Sequence, residues 1–120
     1  MSCQEDVDSN EWLGKFSVNQ TCDGATNPDY VMQIRAVAHD SSALVLNNLG
    51  GYGEKVAATV AGDSLIITPT DVNVGLMGKV RLSGSGQWQA EELQIDLTVR
   101  VPGPQGTITT STCQLKGIRL

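Results

Sequence analysis

Short runs in which apolar and polar residues alternate follow one another along the chain from residue 12 onwards. The clearest run is 93–99, where Leu93, Ile95, Leu97 and Val99 alternate with polar side chains. A period of two residues is typical of a β-strand with one buried face, and no segment of useful length shows the period of a helix. Gly, Asn, Asp and Pro separate the runs. The pattern predicts a single all-β domain over residues 12–120 with eight strands.

The connections between these runs are short. Gly62-Asp63 is predicted to form a two-residue hairpin turn, because Gly tolerates the positive φ that such turns need. Residues 23–29 are predicted to be a loop, Ser41-Ser42 a turn, and Pro69 the end of the strand after the hairpin. Short links favour an antiparallel meander, and eight strands suffice to close an up-and-down barrel. The alternative is a β-sandwich, which would usually need a long crossover connection.

Two of the three cysteines lie in the first and last strand-like runs. Cys22 ends the first run, and Cys113 lies in the last. We expect a Cys22–Cys113 disulfide, since a bridge between these runs would bring the two ends of the sheet together. A closed sheet leaves no unpaired edge, which is how barrels avoid exposing free backbone groups.

The third cysteine lies in a polar leader, residues 1–11, which is predicted to be a flexible tether. A Ser-Cys pair followed by an acidic segment is how a mature bacterial lipoprotein begins after its signal peptide has been removed. Cys3 is therefore predicted to carry lipid, and the protein to reside in the periplasm, at the outer membrane or at the cell surface. The alternative is an exposed thiol on a tail.

Composition and charge limit what can fill the interior and which classes of molecule the protein can bind. The 120 residues include 40% hydrophobic but only 4% aromatic residues, so aliphatic side chains must fill the interior. The net charge of −5 disfavours nucleic acid and anionic membrane surfaces as partners. No apolar run approaches the ~20 residues that span a bilayer, so we expect membrane contact only through a lipid anchor.

No residue pattern indicates catalysis or a cofactor. His39 is the only histidine, which argues against a metal site of several histidines. Asp23, Asn27 and Asp29 share a loop but lack the regular spacing of a calcium-binding loop. Gly84-Ser85-Gly86 is not followed by a helix, as a nucleophile elbow would be. We expect no enzymatic activity, no metal and no cofactor.

Two classes of function remain open. In the first, the barrel binds a small apolar or amphipathic ligand in its lumen. In the second, its own side chains fill the lumen, and loops such as 50–53 and 71–78 contact an envelope protein or a glycan. The residues predicted to line the lumen are Met32, Ile34, Leu44, Leu46, Val56, Val60, Leu93, Ile95 and Leu97.

Several short motifs resemble those of the small lipocalin-like lipoproteins of Bacteroidetes. They are Trp12-Leu13-Gly14-Lys15-Phe16, residues 47–53, Val60-Ala61-Gly62-Asp63, residues 82–86 and a final strand that carries Cys113. The resemblance implies a calycin-like barrel in the cell envelope, without an assigned activity. Gly14-Lys15-Phe16 resembles the Gly-x-Trp element of lipocalins, and Arg119 lies where calycin barrels place an arginine on the last strand. This likeness implies that Arg119 packs over Phe16 or Trp12.

Overall fold

The chain folds into a single antiparallel sheet that closes on itself. The computed structural model describes residues 12–74 and 78–120. The strands within these residues are β1 (Gly14–Cys22), β2 (Ala25–Thr26), β3 (Tyr30–Val37), β4 (Asp40–Asn47), β5 (Lys55–Ala61), β6 (Ser64–Asn73), β7 (Lys79–Gln89), β8 (Glu92–Pro102) and β9 (Ile108–Arg119). Two short 3₁₀ turns lie at Leu49–Gly51 and Pro104–Gly106.

Pairing between the first and last long strands completes the barrel. From β3 to β9 each strand pairs with the next, β3 also pairs with β1, and β9 pairs back with β1. The register of this last pairing runs from Phe16 opposite Arg119 to Cys22 opposite Cys113. The two-residue strand β2 pairs only with β1, so eight long strands form the barrel. The predicted up-and-down barrel is confirmed, and the sandwich is excluded because the sheet is continuous.

The interior of the barrel is apolar and buried. Along β8, Leu93, Ile95, Leu97 and Val99 are all buried, as their alternation predicts. They belong to one cluster that includes inward side chains from every long strand of the barrel. The Gly62-Asp63 turn joins β5 to β6 as predicted, with φ +62° at Gly62. In the described part of the chain, no helix is long and apolar enough to cross a membrane.

The turn predicted at Ser41-Ser42 is wrong. The chain turns at Ala38-His39, and both serines belong to β4. His39 adopts φ +66°, which closes the tight turn three residues earlier than the sequence suggested. The β3–β4 pairing shifts its register between Ala36 and Val37, and both of these residues are exposed. The buried face of β3 therefore ends at Ile34. Serine is a residue type that is frequent in turns, which explains the error.

The strand predicted to end at Pro69 continues to Asn73. The β6–β7 pairing passes from Ile67 opposite Gly84 to Thr70 opposite Leu82, so that Pro69 lies in a bulge between the two paired segments. Proline is tolerated at a bulge because its missing N–H is not needed for the ladder there. Residues 71–73, for which the sequence allowed a short strand or a loop, are therefore in a strand, and 75–77 lie outside the described residues. Likewise, the 23–29 loop contains β2.

Candidate functional site

One end of the barrel is closed by aromatic rings and an arginine, and we call it the arginine end. The Arg119 Cζ atom lies 5.0 Å from the centroid of the Phe16 ring and 5.5 Å from that of Trp88. The Trp12 ring packs against Trp88 with the ring centroids 5.9 Å apart. Arg119 thus lies over Phe16, one of the two predicted rings, while its second aromatic contact is with Trp88 rather than Trp12.

The position of Arg119 depends on the residues at the start of β1. Its Nη1 donates a hydrogen bond to the carbonyl oxygen of Leu13. A Cβ at Gly14 would lie 2.8 Å from the same Nη1, and Gly14 has φ +132°. Only glycine leaves room there for the guanidinium, which gives a physical reason for glycine two residues before the buried Phe16.

A cleft of about 440 Å³ opens beside this cluster. It is lined by Trp88, Ala90, Glu91, Ile118 and Arg119. Trp88 is half-buried and Ile118 is 59% exposed, so the walls include both an indole and an aliphatic side chain. The Trp88 Nε1 atom is buried and makes no hydrogen bond within the described chain. Such a donor is costly to leave unpaired.

The other end, which we call the disulfide end, is held by a chain of polar contacts. Cys22 and Cys113 form the expected disulfide, with Cα atoms 4.0 Å apart. Gln20, only 3% exposed, donates from Nε2 to the Cys22 Sγ at 3.3 Å. The Tyr30 hydroxyl donates to the Gln20 Oε1 at 2.6 Å and accepts the Gly50 N–H at 3.1 Å. The bridge is thereby connected to the turn after β4.

Burial governs the titration of Tyr30. Its pKa is raised well above the usual value of a tyrosine, because burial disfavours the phenolate, while the Gly50 N–H acts in the opposite direction. Burial also raises the pKa of Tyr52. Both tyrosines thus remain protonated at neutral pH, and the Tyr30 hydroxyl keeps the proton that it donates to Gln20.

The turn after β4 covers the barrel at the disulfide end. Leu49 is fully buried within it, whereas Asn48, Gly50 and Gly51 adopt positive φ angles. The Asn48 side chain secures the turn by accepting the Gly53 N–H at 2.7 Å and donating to the carbonyl of Val31 at 2.9 Å. The glycine-rich segment 50–53, considered above as an interaction loop, is therefore part of the closure of the barrel.

Eight of the nine residues predicted to line the lumen belong to the buried apolar cluster inside the barrel, and the ninth, Val60, packs against it. Eight of the nine are at most 2% exposed, and Val60 is half-buried. A Cβ at Gly86 would lie 3.0 Å from the Ile95 Cγ1, and one at Gly117 would lie 3.5 Å from the Phe16 Cβ. Side chains therefore fill the space around these glycines, and none of the nine residues lines the cleft at the arginine end.

The remaining candidate residues do not assemble into a site. Cys3 lies outside the described residues. His39 is exposed on its turn, and Asp29 accepts a hydrogen bond from the Asn19 Nδ2 at 3.0 Å. Among residues 12–74 and 78–120, no group of three or more His, Cys, Asp or Glu residues could hold a metal ion. A second, smaller hollow of about 120 Å³ lies on the outer face of β7 and β8 and is polar.

Comparison with known proteins identifies the fold. No protein-family model matches the chain, and no curated protein matches it. The solved structure of EF1p2_mFAP2b bound to DFHBI is similar with a TM-score of 0.64 at 14% identity, covering 97% of this chain and 99% of that one. A redesigned beta barrel, b11L5F_LGL, has a TM-score of 0.56 at 13% identity, covering 93% and 94%. The chain is a small closed β-barrel. At these identities the similarity establishes the fold alone.

Sequence reasoning missed Trp88 and the turn Ala90-Glu91 as parts of the arginine end. Trp88 occupies an inward position at the end of β7, in register with Leu93 on β8. A signal was present, since Trp88 continues the alternation of Val80 and Leu82 and precedes a turn. In an antiparallel meander β7 and β9 end on the same side, but the sequence did not show that the tilt and register of the sheet bring Trp88 next to Arg119.

Proposed function

We propose that this protein is an envelope-anchored barrel that binds one small apolar or amphipathic molecule in the cleft at the arginine end. The observation that carries the proposal is the cleft itself. Its volume of about 440 Å³ falls within the range of about 300–1,000 Å³ that is usual for ligand pockets. Its apolar walls are Trp88 and Ile118, and its charged side chains are Arg119 and Glu91. Apolar walls with a few polar groups are typical of sites for small molecules.

The cleft is a better candidate than the lumen. Ligand binding in the lumen would require displacement of side chains such as Leu46 and Leu97, which are fully buried. The cleft needs no such rearrangement. The similar barrel EF1p2_mFAP2b, which is bound to DFHBI, supports the idea that a barrel of this size can hold a small molecule. The proposal assigns no catalytic role, and His39 lies on an exposed turn rather than at the cleft.

The proposed anchor is a lipid on Cys3. The Ser2-Cys3 pair, the acidic leader and the resemblance to lipoproteins of Bacteroidetes support it. A disulfide within the barrel is compatible with an oxidising compartment outside the cytoplasm. The leader joins β1 at the arginine end, and between Cys3 and Trp12 it can extend to about 30 Å. An anchored protein would therefore hold the cleft near the membrane surface.

The anchor is tested by producing the protein behind a lipoprotein signal peptide in a bacterium. Mass spectrometry of the N-terminal peptide should show acyl chains on Cys3, and Cys3→Ala should move the protein from the membrane to the soluble envelope fraction. Ser9→Ala changes another residue of the same leader, leaves Cys3 in place and serves as the control. An unmodified Cys3 in this host would refute the anchor without affecting the ligand site.

Ligand binding is tested by native mass spectrometry of protein purified from a bacterial envelope. We expect a species heavier than the protein by the mass of one small molecule, which organic extraction should remove. The same molecule should change the fluorescence of the stripped protein when it is added back, because Trp88 lines the cleft. Absence of any retained mass and of any fluorescence change would refute the binding function.

The packed interior favours one second candidate, a structural or interaction module without a ligand. Eight predicted lumen residues are almost completely buried, which is what such a module requires. In that case, crosslinking in intact cells should capture an envelope protein or a glycan through the barrel surface, and purified protein should retain no small molecule. Native mass spectrometry therefore distinguishes the two candidate functions, because only a ligand-binding barrel should retain the mass of a small molecule.

A further inference from the structure

We infer that the leader, residues 1–11, docks by charge on one outer side of the barrel, which is formed by β9, β1 and β3. We call the outward side chains of these three strands the basic face. Docking of the leader requires neither the proposed ligand nor the proposed lipid. Negative charge is concentrated in the leader, and unpaired positive charge is concentrated on the strands next to the point where the leader joins the barrel.

The leader carries most of the net negative charge of the chain. It contains Glu5, Asp6, Asp8 and Glu11 and no basic residue. Its side-chain charge of −4 leaves only −1 of the net charge of −5 for residues 12–120. The barrel is thus almost neutral as a whole, so its attraction for a charged segment depends on how its own charges are distributed.

The basic face has positive side chains and no negative ones. β1, β3 and β9 contain neither Asp nor Glu. Lys15, Arg35 and Lys116 are exposed on these strands, and none of the three forms an ion pair within residues 12–74 and 78–120. On the other side of the barrel the signs are mixed, since Arg81 on β7 pairs with Asp71 on β6. The basic face is therefore a positive region on a nearly neutral barrel.

Two aliphatic side chains lie in the middle of the basic face. Ser17 on β1 lies opposite Val31 on β3 and opposite Ile118 on β9. Val31 is 48% exposed and Ile118 is 59% exposed. Aliphatic surface between cations is complementary to a segment in which acidic residues flank an apolar one. The leader has this pattern in Asp6-Val7-Asp8.

The leader is long enough to cover this face. It joins the barrel at Trp12, just before β1, which is the central strand of the face. Lys116 lies opposite Asn19, seven positions after Trp12, and Glu5 lies seven positions before Trp12. Seven extended residues span about 23 Å, so a leader that folds back along β1 brings its acidic residues beside the three cations. The covalent connection gives them an effective concentration on the order of millimolar.

Acidic residues beside the basic face limit where the leader can lie. Glu92 on β8 lies opposite Ile118, and Asp29 accepts a hydrogen bond from Asn19. These carboxylates repel the leader and confine it to the surface over β1. Ion pairs at an exposed surface are individually weak and are screened by salt, so docking is reversible and is favoured at low salt. In a lipid-anchored protein, docking would shorten the tether between Cys3 and the barrel.

The test uses a nitroxide attached to the Cys3 thiol of the full-length protein without lipid, because Cys22 and Cys113 are held in the disulfide. The nitroxide weakens the amide signals of nearby residues in spectra of protein labelled with nitrogen-15. At low salt, the Val31 and Lys116 signals should lose most of their intensity. They should regain it in about 1 M salt, where the screening length falls to about 3 Å. Ile66 lies on β6, four strands from β1 in either direction, and its signal should not change with salt.

Two triple variants with the same change in net charge locate the docking surface. The first replaces the cations of the basic face, and the second replaces three exposed cations of β7 and β8; they are Lys15→Gln/Arg35→Gln/Lys116→Gln and Lys79→Gln/Arg81→Gln/Arg100→Gln. The first should lose the salt-dependent change in signal intensity, and the second should retain it. A leader with amides at its four acidic positions should also lose the change, and this variant leaves the barrel unaltered.

Several results would overturn the inference. They are Val31 and Lys116 signals that do not depend on salt, an equal salt effect at Ile66, and a salt effect that the first triple variant or the neutral leader retains. Weakened signals in nitrogen-15 protein mixed with nitroxide-labelled protein of natural isotope content would show that a second copy supplies the leader. Sedimentation on phosphatidylglycerol vesicles, together with recovery of the face signals, would identify an anionic membrane as the stronger occupant. Either result would exclude the leader of the same chain as the preferred partner of the basic face.

Discussion

Removal of the disulfide should be the most damaging change that leaves the apolar core almost intact. Cys22 and Cys113 lie directly opposite each other where β1 and β9 close the barrel, and they are separated by 91 positions in the sequence. The chain-entropy relation for a loop of this length gives about 4.5 kcal/mol of stabilisation through the restricted unfolded state. That amount approaches the total stability of many small domains, which begins at about 5 kcal/mol.

The test is the double variant Cys22→Ala/Cys113→Ala, because it leaves no free thiol in the barrel. Urea unfolding followed by tryptophan fluorescence and by far-ultraviolet circular dichroism gives the free energy of unfolding. We expect a loss of about 4–5 kcal/mol, so that the variant is only marginally folded. Reduction of the wild-type protein should produce a similar loss, and Cys3→Ala should produce none.

A loss below about 1 kcal/mol would refute the reasoning, since it would mean that the β1–β9 pairing alone closes the sheet. Mass mapping offers an independent check. A bridge from Cys3 to either barrel cysteine in the native monomer would contradict both the closure and the proposed lipid anchor. The disulfide also contacts Gln20, so fluorescence and circular dichroism should lose their native signals together if closure of the barrel is cooperative.

Three further predictions follow from particular contacts. Gly84→Ala should lower the free energy of unfolding by about 3 kcal/mol, because its Cβ would lie 2.1 Å from the Asp96 carbonyl oxygen. The control Gly62→Ala has open space around the Cβ and should lower it by only about 1 kcal/mol. Equal losses of stability in thermal melts of the two variants would contradict this prediction. Arg119→Ala should lower the free energy of unfolding by about 1 kcal/mol, and Arg119→Lys should lower it by less. An unchanged melting temperature in both variants would argue against the ring contacts. Because the pKa of Tyr30 is raised in the folded protein, its stabilising effect is complete below the ordinary tyrosine pKa of 10.0 and decreases as the pH rises above it. The free energy of unfolding measured across alkaline pH should therefore fall. In Tyr30→Phe the contribution of Tyr30 to this fall should be absent.

The fold could be predicted because two signals agreed. The alternation on the later strands, such as Leu93 to Val99, assigned the buried face, and Cys22 and Cys113 indicated which strands meet. The errors have a common cause. Pro69 and Ser41 are residue types that are frequent in turns, but Pro69 lies in a bulge of β6 and Ser41 lies within β4.

The candidate site was harder to predict than the fold. Arg119 and Phe16 could be paired in advance from the resemblance to calycin barrels, whereas nothing in that resemblance pointed to Trp88 or Glu91. Their proximity depends on the tilt and register of the closed sheet, which alternation does not encode. The same limit applies to the lumen, because alternation shows which side chains point inward but not whether they leave space for a ligand.

Because β9 pairs with β1, no strand of the barrel is first or last in space, and the chain could begin at another turn without changing which strands pair. The Leu120 amide donates to the Lys15 carbonyl at 2.9 Å, so the beginning of the first long strand and the end of the last are immediate neighbours. A ring of hydrogen-bonded strands remains the same ring wherever it is cut. A gene that joins these ends through a short linker and starts instead at Asp63 should encode the same barrel, recognisable by an unchanged circular dichroism spectrum. In such a permuted gene the disulfide would connect positions close in sequence, and its stabilising effect should fall accordingly.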